Sequence, residues 1–184
     1  MADINTLQVG DIILVRDGKS FIARGITWWM KIYKKNQRIM MLATYHHAGT
    51  VISDEGVLKI AEAVGKGYQI NSIEGAYSTQ AWKKRIDVIR PDIPYTEKDK
   101  KWLSSKAKEY NQEITRYDFL NFFFQIWLIK TGKWIGPRGK KAENRLYCSE
   151  AVATIANYVR PCTFVNPAAT NPMDVATNHN YHFV

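Results

Sequence analysis

The chain is expected to fold as an α+β protein, an antiparallel sheet packed against helices with a cysteine-bearing helix near the C-terminus. Three observations predict this. Short runs rich in β-branched residues, separated by turn residues, fill the first half. Apolar residues at helical spacing dominate the second half. The length, 184 residues, suits one core, so a single domain over 1–184 is expected.

Residues 10–16, GDIILVR, read as a buried strand behind a Gly-Asp turn. Residues 20–34 read as a helix, with Phe21, Ile22, Ile26, Trp29 and Met30 at helical spacing. Two strands follow, at 45–52 and 57–63, joined by SDEG read as a four-residue hairpin loop. Further strands are expected at 68–73 and 86–89, the latter ended by Pro91 and Pro94. Thr96 followed by Asp99 resembles a helix cap, and Trp102, Leu103, Ala107 and Tyr110 give that helix its apolar face. Residues 117–130 read as another helix, GKWIGPRGKK as a loop, and 149–159 as a small-residue helix opening at Cys148. Prolines and asparagines argue for an irregular tail from Pro161 onward.

Hydrophobic residues make up 46% and charged residues 23%, ordinary for a soluble globular protein. The first residues show no basic start followed by an apolar stretch. The greasiest run, 119–129, is too short to span a bilayer and is interrupted by Asn121 and Gln125. A cytoplasmic location is therefore expected, with Cys148 and Cys162 as free thiols. The net charge of +9 suggests an anionic partner, whether a phosphate-bearing lipid, a cell-wall polymer or nucleic acid; the plain alternative is a solvated basic surface. The densest basic group is Lys130, Lys133, Arg138, Lys140, Lys141 and Arg145. Nothing resembles a recognition helix or an aromatic RNA motif, so no specific nucleic acid is expected.

The hairpin carries the chemistry. A four-residue loop pairs Ile52 with Val57, and that register sets His47 directly opposite Glu62, on one face. Cross-strand Cβ atoms are then about 4.5–5.5 Å apart, within reach of an imidazole–carboxylate hydrogen bond. Such a partner orients the ring and favours its protonated form. His46 is expected on the opposite face. Cys148 opens a helix, where the dipole and free N–H groups favour a thiolate and its own main-chain N–H can hold an oxyanion. Taken singly, each residue has a plainer reading: a small buried cysteine, a packed histidine, a cross-strand pair. No metal site is expected, since no CxxC occurs and His179 and His182 are isolated.

These segments resemble the NlpC-like branch of the papain superfamily, in its circularly permuted members of the YiiX and YaeF type. GDIILVRDGKSFIARGITWW, YHHAGTVI, KIAEAVGKGYQI and LYCSEAV carry the match, with weaker matches in YDF at 117–119 and NPMD at 171–174. The Cys motif comes last, which is the permuted order. The residue before the histidine is often Ser in that family and is His46 here. The resemblance places a catalytic triad on Cys148, His47 and Glu62. It implies a cysteine hydrolase acting on an amide or ester through a thioester acyl-enzyme, without a cofactor. Tyr147 or Tyr117 is expected to assist at the oxyanion. The substrate class stays open between a small molecule, a peptide and a lipid-derived acyl group, with contact to an anionic cell-wall or membrane surface. A bacterial or phage origin fits the resemblance. Three rivals remain: an acyltransferase or phospholipase using the same triad, a non-catalytic binding module with an unreactive thiol, and the nucleic-acid binder ranked last. The aromatic runs at Trp28–Trp29 and Phe122–Trp127 have two readings, an acyl groove or, more simply, core faces of two helices.

Overall fold

The computed structural model describes residues 4–18, 21–41, 43–77, 79, 85–113, 116–136 and 145–184; the side chains of Phe21, Ile22, Phe119, Phe122 and Ile129 lie outside the description. Within the basic group singled out above, Arg138, Lys140 and Lys141 fall outside it as well.

Six strands form one antiparallel sheet: β1 (Ile12–Arg16), β2 (Tyr45–Asp54), β3 (Val57–Val64), β4 (Gly67–Ser72), β5 (Ile86–Pro91) and β8 (Tyr181–Phe183), in the order β4-β3-β2-β1-β5-β8. Two short strands, β6 (Arg116–Tyr117) and β7 (Arg145–Leu146), make a separate parallel pair. The helices are α1 (Phe21–Asn36), α2 (Ile73–Tyr77), α3 (Glu97–Glu113), α4 (Phe119–Thr131), α5 (Cys148–Val159) and α6 (Pro172–Ala176).

The central strand β1 explains its own sequence. Ile12 and Leu14 pack with Val152, Ala153 and Ala156 of α5, while Ile13 and Val15 pack with Ile73 and Tyr77 of α2. Both faces are covered, so the strand is apolar at successive positions rather than alternate ones. Gly10 precedes it at φ +96°, where a Cβ would run into the Tyr95 ring at 2.2 Å. The adjoining Asp11 is buried and accepts two hydrogen bonds from Arg90, each 2.8 Å, tying the strand's start to β5.

The α3 cap forms as the spacing predicts: Asp99 N–H donates to Thr96 Oγ1 at 3.2 Å and Thr96 N–H donates to Asp99 Oδ2 at 3.0 Å. Three readings need correction. The hairpin turn is two residues, Glu55 and Gly56, both at positive φ (52° and 82°), so Ser53 and Asp54 continue the strand and Asp54 pairs with Val57. Strand β4 stops at Ser72, and Ile73 opens a helix instead. The helix expected from Tyr117 begins at Phe119, capped by Asp118, whose carboxylate accepts from Asn121 N–H at 3.0 Å; Tyr117 is strand. The tail is irregular with short elements only, as its prolines and asparagines imply. A 3₁₀ turn (Pro167–Ala169), the capping box of Asn171 and Asp174 on α6, and edge strand β8 all lie in it.

Candidate active site

The two-residue turn moves the β2–β3 register by two, and a shift of two leaves every side chain on its face. His47 and Glu62 therefore stay on one face but become diagonal neighbours. Continuing the ladder from Thr50–Ala61 places Glu62 opposite Gly49. His47 Nε2 still meets Glu62 Oε2 at 2.6 Å.

Two residues that sequence reasoning missed complete the carboxylate's surroundings. The Tyr77 hydroxyl donates to Glu62 Oε2 at 2.8 Å, and Asn71 Nδ2 donates to Oε1 at 3.2 Å. Asn71 stands on β4 and Tyr77 on α2. Neither carries a distinguishing sequence signal: Asn71 falls on the polar phase of an alternating strand, and Tyr77 follows Ala76 in a five-residue helix. Burial raises the pKa of Glu62, but the bonds from His47, Tyr77 and Asn71 outweigh it and hold the group below its ordinary value.

Cys148 is the first residue of α5, where main-chain N–H groups have no intrahelical acceptor. The thiol is buried and free, whereas Cys162 is exposed and free. The Tyr117 hydroxyl donates to the Cys148 sulfur at 3.9 Å, and the His47 ring and the Ala48 main-chain N–H lie where they favour the thiolate. Ala48 can offer its N–H because the β2–β3 pairing ends at Thr50. Burial raises the thiol pKa, yet the His47 charge and these bonds bring it below the ordinary value. For His47, burial lowers the pKa; the Cys148 sulfur, then Glu62, outweigh it and lift it to about 10. The two titrate as a coupled pair that favours thiolate and imidazolium together. With Nε2 given to Glu62, Nδ1 is the ring nitrogen left for sulfur. The result is a thiol, an imidazole and a carboxylate in sequence.

The two tyrosines play different parts. Tyr117 sits on β6, paired with Leu146 of β7 just before Cys148, and reaches the sulfur. Tyr147 does not use its hydroxyl there. It donates to the Ala168 and Thr170 carbonyls and accepts from Gln125 Nε2 at 2.6 Å, which makes it a buried brace under the loop.

His46 occupies a β-bulge: β1 pairs Val15 with His47 and Arg16 with Tyr45, leaving His46 as the extra residue. It is buried, with its pKa lowered to about 4 by burial and the neighbouring His47. Its ring borders a narrow cleft beside Cys148, lined also by Ile26, Met30, Tyr117, Asp118, Gln125 and Asn171. Next to the cleft, Glu150 accepts from Asn121 Nδ2 at 3.1 Å, and burial and the nearby Asp118 raise its pKa to about 8.

Fold and site together define a mixed α+β protein, its sheet largely antiparallel, in which a helix-borne cysteine meets a strand histidine backed by a carboxylate. No family model matches the chain, and neither does any curated protein. Among solved structures it is similar to the crystal structure of metalloprotein YiiX from Escherichia coli O157:H7, described as DUF1105. The TM-score is 0.61 at 18% identity, covering 96% of each chain. The shared property is a YiiX-like fold. The described residues do not fit a metal: no group of three or more His, Cys, Asp or Glu among them is arranged to hold one. Among the described residues no helix is long and apolar enough to cross a membrane.

Proposed function

We propose that this chain is a cysteine hydrolase on a circularly permuted papain-like frame, cleaving an amide or ester bond. The observation that carries the reading is the His47–Glu62 contact at 2.6 Å, beside a buried thiol on which the His47 charge acts. The order along the chain, histidine hairpin first and cysteine helix last, supports the permuted frame.

Cys148 sulfur attacks the substrate carbonyl carbon, and its proton rests on His47. Main-chain N–H groups at the start of α5 face the developing oxyanion, with Tyr117 at the sulfur's side. The carbon–nitrogen or carbon–oxygen bond breaks, and the leaving amine or alcohol takes the His47 proton. Water then attacks the thioester, gives its proton to His47, and releases the acid and the thiol. An alcohol or amine in place of water turns the same cycle into acyl transfer. Glu62 holds the ring throughout and transfers nothing.

The test uses a Cys162→Ser background, because that thiol is exposed. There an electrophilic acyl ketone is expected to label Cys148 and to lose all labelling in Cys148→Ala, with the circular dichroism spectrum unchanged. Glu62→Gln is expected to slow labelling less than His47→Ala. A Cys148 that labels only at the rate of free cysteine makes the chain a binding module.

A further inference from the structure

We infer that the outer faces of α1 and α4 form a docking surface for an anionic phospholipid bilayer. Helix α4 is apolar around most of its circumference. Its buried side presents Asn121 and Gln125, while Leu120, Phe123 and Trp127 are exposed at i, i+3 and i+7. A helix this apolar normally has every side covered. The adjoining α1 adds Trp28, 57% exposed, and the chain just beyond α4 adds Ile135. The simpler reading of these aromatic runs as core faces therefore fails for Trp28, Phe123 and Trp127.

The charge around these residues selects the occupant. From 18 to 53 and from 119 to 142 the sequence holds 11 Lys or Arg and no acid. The rest of the chain has 15 basic and 17 acidic residues, so the positive excess is concentrated in the two segments that contain α1 and α4. Arg24, Lys31, Lys35, Lys130 and Lys133 are exposed. Exposed aromatics amid lysine and arginine, with no acid in either segment, match lipid headgroups above acyl chains. A second copy of this chain does not match, because like charges would face each other.

The cleft beside Cys148 is lined by Ile26 and Met30 of α1 and by Gln125 of α4. Docking through these helices therefore sets the bilayer against the outer side of the two elements whose inner faces wall the cleft. The surface itself is independent of the chemistry at Cys148.

Co-sedimentation of the full chain with vesicles tests this. Vesicles of about 30% phosphatidylglycerol in phosphatidylcholine are expected to bind it, with a blue shift in tryptophan emission. Binding should weaken about tenfold or more between about 0.05 and 0.5 M salt. Phe123→Ser with Trp127→Ser, and separately Lys31→Glu with Lys35→Glu and Lys130→Glu, should each weaken it about tenfold. All these side chains are exposed, and an unchanged Tm checks that each variant is folded. Cys148→Ala should bind like the parent, which separates this inference from the hydrolase reading. Failure to bind anionic vesicles, equal binding to pure phosphatidylcholine, or a dimer that the Phe123→Ser, Trp127→Ser variant dissolves overturns it.

Discussion

Glu62 meets His47 from the diagonal position, and the residue opposite the carboxylate's Cβ is a glycine, Gly49. A Cβ on Gly49 would lie 2.7 Å from Ile60 Cδ1 and 3.1 Å from Glu62 Cβ. The empty position is what allows the carboxylate to lean across to the imidazole. The His-Ala-Gly order thus has a physical reason at each place: His47 for the bond to Glu62, Ala48 for close packing under α5, and Gly49 for room.

Gly49→Ala is accordingly expected to cost about 1–3 kcal/mol of stability by overpacking. It should also slow Cys148 labelling by displacing Glu62. Urea unfolding and probe kinetics measure the two effects. Parent-like values for both would mean the carboxylate is not confined by this glycine.

The coupled pair predicts a pH profile. The Cys148 pKa is lowered and that of His47 is raised to about 10. The midpoint for alkylation of Cys148 should lie below the ordinary thiol value of about 8.5. In His47→Ala that midpoint should move upward. The stabilising effect of His47 is complete below its unfolded value and is lost as pH rises through about 10. That of Cys148 is complete above its unfolded value and is lost as pH falls through its folded one. The pair therefore stabilises the fold most between those limits, and Cys148→Ala should flatten that optimum. An alkylation curve centred at the ordinary thiol pH would show an uncoupled sulfur.

Tyr117 and Tyr147 separate by their variants. Tyr117→Phe removes a donor 3.9 Å from the sulfur, so the thiol pKa should rise while the Tm stays near the parent value. Tyr147→Phe strips partners from Gln125 and from the Ala168 and Thr170 carbonyls. It should cost about 1–3 kcal/mol and leave the thiol pKa in place. A Tyr147→Phe variant that is stable but sluggish would put that hydroxyl at the reacting carbonyl instead.

Glu150 is a buried acid that the chemistry does not use. Its pKa is raised to about 8 by burial and by Asp118, so the folded state keeps a proton that the unfolded chain releases near 4.5. Its contribution to stability is intact below that lower value and declines as pH rises toward about 8. Glu150→Gln should thus leave stability unchanged near pH 4 and raise it by about 1–3 kcal/mol above pH 8. Chemical denaturation at the two pH values measures the difference; equal shifts at both would mean the carboxyl ionises freely.

Much of the fold was legible because strands and helices announce themselves in local spacing. The ranges for β1, α1, β2, β3 and α5 differ from expectation by a few residues at their ends. The hairpin register was read from a four-residue turn and is set by a two-residue one. The even shift preserves the face shared by His47 and Glu62, so the two side chains still meet. Proline and asparagine mark the tail's turns locally, while β8 gains its strand character from pairing with β5, which local spacing does not announce.

By itself, the sequence determined which residues have the chemistry to react and which face of each element they occupy, because those properties repeat within a few residues of chain. Only the tertiary structure decided what surrounds them. Asn71 and Tyr77 reach Glu62 from a later strand and helix, and a two-residue parallel bridge carries Tyr117 to Cys148 from 31 positions away. Nothing in local periodicity encodes such meetings. They arise when separate elements bury their apolar faces against one sheet and bring distant polar groups together where water is excluded.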